Sequence, residues 1–289
     1  MEYFGDVYRP PSEARSLIIQ ATLGCSNNTC AFCTMYKAKK FLVRSIEDVT
    51  ADLQEMHDIY PGVRRIFLAD GDALAADTQY LLQILERAGR LFPYCERITS
   101  YATPRSILEK SEEDLDRLRR AGLTMLYMGL ESGDDVVLKR MGKGCSCAQI
   151  VEAGKKARRH GYALSVTAIS GLGGKERFRE HALETARALS EMNPEYIGLL
   201  TLLIHPGTPL ERWVREGSFT LPDADEILEE VQLTVENIDS PGSIFRMNHA
   251  SNYLALKGTL NEDRQKMIEQ IEKARRHQLS LRPDGWRLF

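Results

Sequence analysis

The sequence predicts an α/β fold in which a parallel sheet, covered by helices, winds in one direction into a barrel or partial barrel. Short apolar runs alternate with longer amphipathic ones along the chain. The short runs are nearly continuously apolar, as strands buried on both faces are, and helix start and stop signals separate them. A repeated strand-then-helix order with right-handed crossovers gives this architecture.

Strands are predicted over Leu17–Thr22, Arg65–Asp70, Arg97–Ala102, Met125–Leu130, Ala163–Ile169 and Tyr196–Ile204, each short, apolar and followed by polar or glycine-containing sequence. Between the first and second, Ser45 with Asp48 resembles a capping box and opens a helix. Leu81, Leu85, Ala88 and Phe92 then repeat at helical spacing. Leu115 and Leu118 do so after a second capping signal, Ser111 with Asp114. Arg158-Arg159-His160-Gly161 reads as a basic last turn closed by glycine. Leu183, Ala186, Leu189 and Met192 make a further stripe, and Ile227, Val231, Val235 and Ile238 another. Arg264–Gln278 reads as a charged amphipathic helix carrying Met267, Ile268 and Ile271, with Lys273, Arg275 and Arg276 at its end favoured by the helix dipole. No low-complexity or Pro/Ser-rich linker interrupts residues 1–289, so one continuous domain is expected.

Length and charge exclude several classes. A chain of 289 residues buries about three quarters of its unfolded surface and needs no disulfide staples. With 38 basic and 41 acidic residues, the net charge of −3 argues against binding bulk nucleic acid by charge alone. No apolar run approaches the roughly 20 residues of a membrane span, and Met1-Glu2-Tyr3-Phe4-Gly5-Asp6 lacks the basic-then-apolar order of a signal peptide. The expected location is the cytoplasm. Six cysteines are too sparse for a disulfide scaffold, which turns attention to metal binding or catalysis.

In such folds the chemistry sits on loops at the C-terminal ends of strands. The first of these loops holds Cys25, Cys30 and Cys33 at C-x4-C-x2-C spacing amid small polar residues. Three converging thiolates suit a soft metal or an iron–sulfur cluster. Structural zinc would need a fourth ligand from a distant residue. A cluster would keep one iron open to a small molecule.

The segment resembles the radical S-adenosylmethionine (SAM) superfamily, whose usual signature is C-x3-C-x2-C with an aromatic before the last cysteine. Phe32 and the second spacing match, while one extra residue separates Cys25 from Cys30. Asp70-Gly71-Asp72 after the second strand is similar to the segment that receives the SAM amino group. Gly129-Leu130-Glu131-Ser132-Gly133, with Val137-Leu138-Lys139-Arg140-Met141 beyond it, is similar to the GxES…LxxM stretch of the coproporphyrinogen-oxidase-like, Elongator-like and methylthiotransferase-like branches. Ser170-Gly171-Leu172-Gly173-Gly174 and His205-Pro206-Gly207-Thr208-Pro209-Leu210 resemble the adenine loop and the PGTP turn.

The likeness covers roughly residues 16–210, leaving 211–289 as C-terminal covering elements. It implies a partial (β/α)6 TIM-like barrel and a 4Fe–4S cluster on Cys25, Cys30 and Cys33. SAM would contact Phe32, Asp70, Gly71, Asp72, Glu131, Ser132, Gly171 and Gly173. One electron would cleave SAM to methionine and a 5′-deoxyadenosyl radical that abstracts hydrogen from a substrate, with a low-potential donor such as flavodoxin or ferredoxin. The blander alternatives are that Asp70 and Asp72 cap the next helix, that Glu131 is a first-turn acid and that Phe32 is core.

Ile244–Leu254 packs Arg246, His249, Asn252 and Tyr253 into one short segment. It reads either as a strand with a polar face or as the part of the barrel mouth that orients a polar substrate or exchanges a proton. Cys145 and Cys147 are too few to complete a second cluster, and their role stays open; Cys95 reads as a small buried hydrophobe. With no added RNA-binding region visible, a small-molecule or peptide substrate is expected. The alternatives are a porphyrinogen-type oxidoreductase, which needs an arginine-lined cavity, and a non-catalytic metal- or redox-sensing protein that leaves SAM intact.

Overall fold

The computed structural model describes residues 1–287. In chain order the elements are β1 (Leu17–Gln20), β2 (Thr22–Leu23), β3 (Leu42–Val43), α1 (Ile46–Ile59), β4 (Arg65–Ala69), α2 (Thr78–Leu91), β5 (Arg97–Tyr101), α3 (Pro104–Glu109), α4 (Glu112–Arg120) and β6 (Leu123–Glu131). There follow α5 (Asp135–Arg140), α6 (Cys147–Arg159), β7 (Ala163–Ser170), α7 (Phe178–Met192), β8 (Tyr196–Thr201), α8 (Pro209–Arg215), α9 (Ala224–Asn237), β9 (Ile244–Met247), β10 (Leu256–Thr259) and α10 (Arg264–Arg275).

The sheet order is β1-β4-β5-β6-β7-β8-β9-β10. The pairs β1–β4, β4–β5, β5–β6, β7–β8 and β8–β9 are parallel, and β10 returns antiparallel to β9. Each of the six expected strands forms. The first stops at Gln20 because Thr22–Leu23 peels away to pair antiparallel with Leu42–Val43, closing the base of the cysteine loop. Ile244–Met247 is a strand, but the rest of the 244–254 segment is not.

The chain packs as two compact units, whose boundaries fall within the cysteine loop, β6, α6 and β7 rather than at a linker. One comprises Met1–Asn28, Thr34–Met128 and Lys155–Leu164; the other comprises Thr29–Cys33, Gly129–Gly154 and the chain from Ser165 onward. In the first unit Ile18, Phe67, Met125 and Tyr127 pack together with Tyr101, and the Phe67 and Tyr101 rings meet edge-on at 5.0 Å. Buried Glu13 is neutralised there by Arg97 at 2.7 Å and accepts from the Tyr127 hydroxyl.

In the second unit Ile169, Leu172, Leu202, Leu210 and Phe219 form a core against which Phe32 packs. The α7 stripe differs from the expected one: Leu183 is 41% exposed, and the buried arc runs through His181, Ala182, Thr185, Ala186, Leu189 and Met192. Two polar residues sit inside because each has a specific hydrogen-bonding partner, which an apolar period does not register. Both the α9 and α10 stripes are buried as expected. Among the described residues no helix is long and apolar enough to cross a membrane.

Candidate functional site

The cysteine loop is anchored before any cofactor is considered. Asp70, fully buried at the end of β4, accepts from the Gly24 amide at 3.1 Å, the Gln20 side chain at 3.2 Å and the Lys39 ammonium at 2.9 Å. The Gly71 amide donates back to Gly24 O, and the Asn28 side chain closes the loop onto Tyr36 O and Lys39 O. Gly71 is required by contact: a Cβ there would lie 2.7 Å from the Tyr36 ring and 2.9 Å from Cys25 Cβ. Replacing Asp70 by Asn leaves Lys39 without its counter-charge. A loss of about 3 kcal/mol is expected, read as a lower urea midpoint.

The stretch from Thr29 to Cys33 is held separately. The Ala31 amide donates to Met141 O, Ala31 O accepts from the Leu210 amide, and the Thr29 hydroxyl donates to Gly142 O at 2.9 Å. Thus the LxxM and PGTP segments, 110 and more residues away in sequence, grip the middle of the cysteine loop. All three thiols lie outside any disulfide and are half-buried. Among the described residues no group of three or more His, Cys, Asp or Glu is arranged to hold a single metal ion. Three reduced thiols on an anchored loop have the donor chemistry of an iron–sulfur cluster, whose ligands bind different irons.

Asp72 is also buried and accepts from Thr103 N at 3.1 Å, Thr103 Oγ1 at 2.8 Å, Ser106 Oγ at 2.7 Å and the Ser26 hydroxyl. Burial pushes its pKa up against these hydrogen bonds. Both acids of the Asp-Gly-Asp turn are therefore engaged by the protein: Asp70 holds the cysteine loop, and Asp72 joins it to the start of α3.

Glu131 ends β6 in the left-handed region, with φ of 63°. Its carboxylate folds over Gly129 and takes the Lys143 ammonium at 2.9 Å. A residue other than glycine in this conformation is strained, and such strain concentrates at functional positions. Ser132 faces inward. It is fully buried, and its hydroxyl donates to His181 Nδ1 at 2.7 Å because His181 Nε2–H is committed to Ile169 O at 3.0 Å. Gly133 N donates to Thr185 Oγ1 at 2.9 Å. The serine and glycine of the stretch thus place the turn that aims Glu131.

Gly171 has φ of 86°, and its amide donates to Glu230 Oε1 at 2.8 Å. At Gly173 a Cβ would meet His181 Cβ at 2.9 Å and Arg177 O at 3.0 Å. Glu230 and His181 are wholly buried 3.5 Å apart, and burial drives both towards neutrality: the acid up to about 8, the imidazole down to about 4. Between its unfolded value of 4.5 and about 8, folded Glu230 keeps a proton that the unfolded chain gives up, so stability falls as pH rises through this window. His181 acts oppositely, costing stability as pH falls from 6.5 to about 4. Thermal melts should show a net loss on the order of 2 kcal/mol from about pH 6 to about pH 8.5, absent in Glu230→Gln.

In the 244–254 segment, the Asn252 side chain accepts from Thr201 Oγ1 at 2.9 Å and donates to Leu199 O at 3.0 Å, buried against β8. Tyr253 donates to Asp284 at 2.7 Å beneath the Arg287 guanidinium, 3.9 Å from the ring. Arg282 binds the carbonyls of His249, Ala250 and Asn252. These bonds tie Asn252 and Tyr253 into the structure. His249 is half-buried with Nδ1 taking the Ser251 amide at 3.1 Å, and its pKa is lowered by burial and by Arg282. Arg246 is exposed on β9. Cys147 is buried at the start of α6, its thiol pushed up to about 11, and Cys95 donates to Arg97 O at 3.4 Å.

Lys39, Lys143, His181, Glu230 and the C-terminal arginines were not selected from the sequence. Glu230 left a trace: it lies within the apolar spacing of Ile227, Val231 and Val235, where a charged residue is out of place. The lysines sit among many surface lysines and left none.

A partial α/β barrel with three thiols on its first strand-end loop, none in a disulfide, carries the donor set that an iron–sulfur cluster takes. The radical SAM superfamily profile matches residues 19–189, and the chain belongs to that superfamily. Its cofactors are accordingly a 4Fe–4S cluster and SAM. The heme chaperone HemW of Bacillus subtilis (strain 168) is 21% identical over 184 residues, 63% of this chain and 48% of that protein. Among solved structures, coproporphyrinogen III oxidase (HemN) from Escherichia coli superposes with a TM-score of 0.57 at 19% identity, over 77% of this chain and 53% of that one. Methylornithine synthase (PylB) does so with 0.55 at 16%, over 93% and 83%. The chain spans about half the length of the curated relatives it matches.

Proposed function

We propose that this chain is a radical SAM enzyme whose Cys25, Cys30 and Cys33 hold the cluster and whose strand-end turns hold SAM, for reaction on a small-molecule or peptide substrate. When bound, the reduced cluster supplies the electron that cleaves SAM to methionine and a 5′-deoxyadenosyl radical. The observation that carries this reading is the anchored loop: three half-buried thiols, none in a disulfide, on a segment fastened by Asp70 and Lys39 at one end and by Met141 and Leu210 in its middle.

Each remaining element then has a task. Because the Asp70 and Asp72 carboxylates are engaged internally, the backbone carbonyls of their turn are left to accept from the SAM ammonium. Glu131 is aimed at the ribose or methionine portion by its left-handed backbone and by Lys143. The Gly171–Gly173 turn, held open by Glu230, lies along the adenine, with Phe32 packed into the apolar cluster beside it. In the C-terminal segment, exposed Arg246 and half-buried His249 meet the substrate.

Anaerobic reconstitution followed by iron and sulfide analysis, chemical reduction and chromatography tests this reading. About four irons per chain and formation of 5′-deoxyadenosine from SAM are expected. A full cluster with intact SAM would favour a non-catalytic role, the reading to which the likeness to a heme chaperone points. Zinc in place of iron would overturn both.

A further inference from the structure

On β8–β10 the side chains separate into two faces. Phe245, Met247 and Leu256 are buried, and Gly258 lies against Asp263 and Met267 of the α10 end. The alternating residues Ile244, Arg246, Lys257 and Thr259 point to the opposite face. Strand register aligns Thr167 with Gly198, Gly198 with Arg246, and Arg246 with Lys257. Leu200, two residues beyond Gly198 and on the same face, packs with the cluster that includes Phe32.

Arg246 and Lys257 are both exposed on that face. The Arg246 guanidinium donates to the carbonyl of its neighbour Phe245 at 2.8 Å, and among the described residues neither cation is in an ion pair. Like charges directly opposite on adjacent strands destabilise a sheet, with Cβ atoms only about 5 Å apart. Such a cost is offset when an anion lies between them. Beside Arg246 no side chain stands in the way: its register partner is Gly198, where even a Cβ would come only into ordinary contact, 3.8 Å from Thr167 Oγ1.

We propose that Arg246 and Lys257 bind a carboxylate or phosphate group of the molecule on which this enzyme acts. The inference rests on the enzymatic reading above and adds the substrate's chemical class. The guanidinium offers two parallel N–H donors to an oxyanion, the ammonium a point charge opposite, and the missing side chain at Gly198 leaves the space.

Titrations of the cluster-reconstituted protein, saturated with SAM and at constant ionic strength, with inorganic phosphate and with succinate test this directly. Saturable binding of at least one probe is expected, weakened about tenfold by Arg246→Gln and by Lys257→Gln, retained in Lys257→Arg, and lost in the double variant. Gly198→Val should weaken it as well by filling the space. SAM affinity should not change in the Gln variants. No saturable binding of either anion, or undiminished binding in the double variant, overturns the proposal. So does a parallel loss of SAM affinity, which would assign the pair to the cofactor. Binding of a structured RNA that disappears in the double variant while neither small anion binds also overturns it. Because 5′-deoxyadenosine is measured on the same samples, failure of the cluster chemistry and absence of the anion site give different results.

Discussion

Replacing Cys30 by alanine is expected to reduce iron from about four per chain to well under one and to bring 5′-deoxyadenosine to the level of a protein-free control. Cys25→Ala and Cys33→Ala should do the same, since no fourth thiol stands in the loop to substitute. Their fold should persist, because the loop is held by bonds that involve no thiol: Asp70 to Gly24 and Lys39, Asn28 to Tyr36 O, and Ala31 to Met141 O. The matching controls are Cys145→Ser and Cys147→Ala. Burial keeps Cys147 a thiol at neutral pH, so both variants should retain iron. Iron and SAM cleavage surviving in Cys30→Ala would remove these cysteines from the centre. Loss in Cys145→Ser or Cys147→Ala would move part of the centre to α6.

The largest effect on stability is expected from Gly133→Ala. A Cβ at this position would lie 2.1 Å from Glu184 O and 2.5 Å from Thr185 N, main-chain atoms of α7. That helix cannot easily withdraw, since His181 and Thr185 bind Ser132 and Gly133 from the same face. The cost should exceed about 3 kcal/mol, a fall in Tm of roughly 6 °C or more. The variant should also weaken SAM binding by shifting the turn that carries Glu131. Gly89→Ala in α2, where nothing lies within 4 Å of the added Cβ, should be neutral or stabilising by up to about 1 kcal/mol. Equal melting curves for wild type and Gly133→Ala would show that α7 yields freely.

Much of this was legible in the chain. The strand order followed from apolar runs at β4 to β8, and the loops that matter followed from the cysteine spacing and the glycine-rich strand ends. The Gly-Leu-Glu-Ser-Gly stretch was legible as a motif but not in its division of labour. Sequence treats Glu131 and Ser132 alike. In the fold one residue takes a left-handed backbone and remains partly open, while the other donates to His181 in the interior. Asn252 and Tyr253 show the same limit: polar density at 244–254 suggested a substrate face, yet β8 and the C-terminal arginines claim both residues.

What the sequence alone determined was the kind of fold, the cysteine loop and the family likeness, because periodicity and motif spacing are local properties of the chain. Which polar groups are spent within the protein and which are left for a ligand was decided only by tertiary structure. A buried carboxylate must find its donors wherever they lie in the chain. For Asp70 these are residues up to 50 positions away, and for Glu230 the donor at Gly171 is 59 away. The opposed Arg246 and Lys257, by contrast, were brought together by strand register, and among the described residues neither has a carboxylate partner.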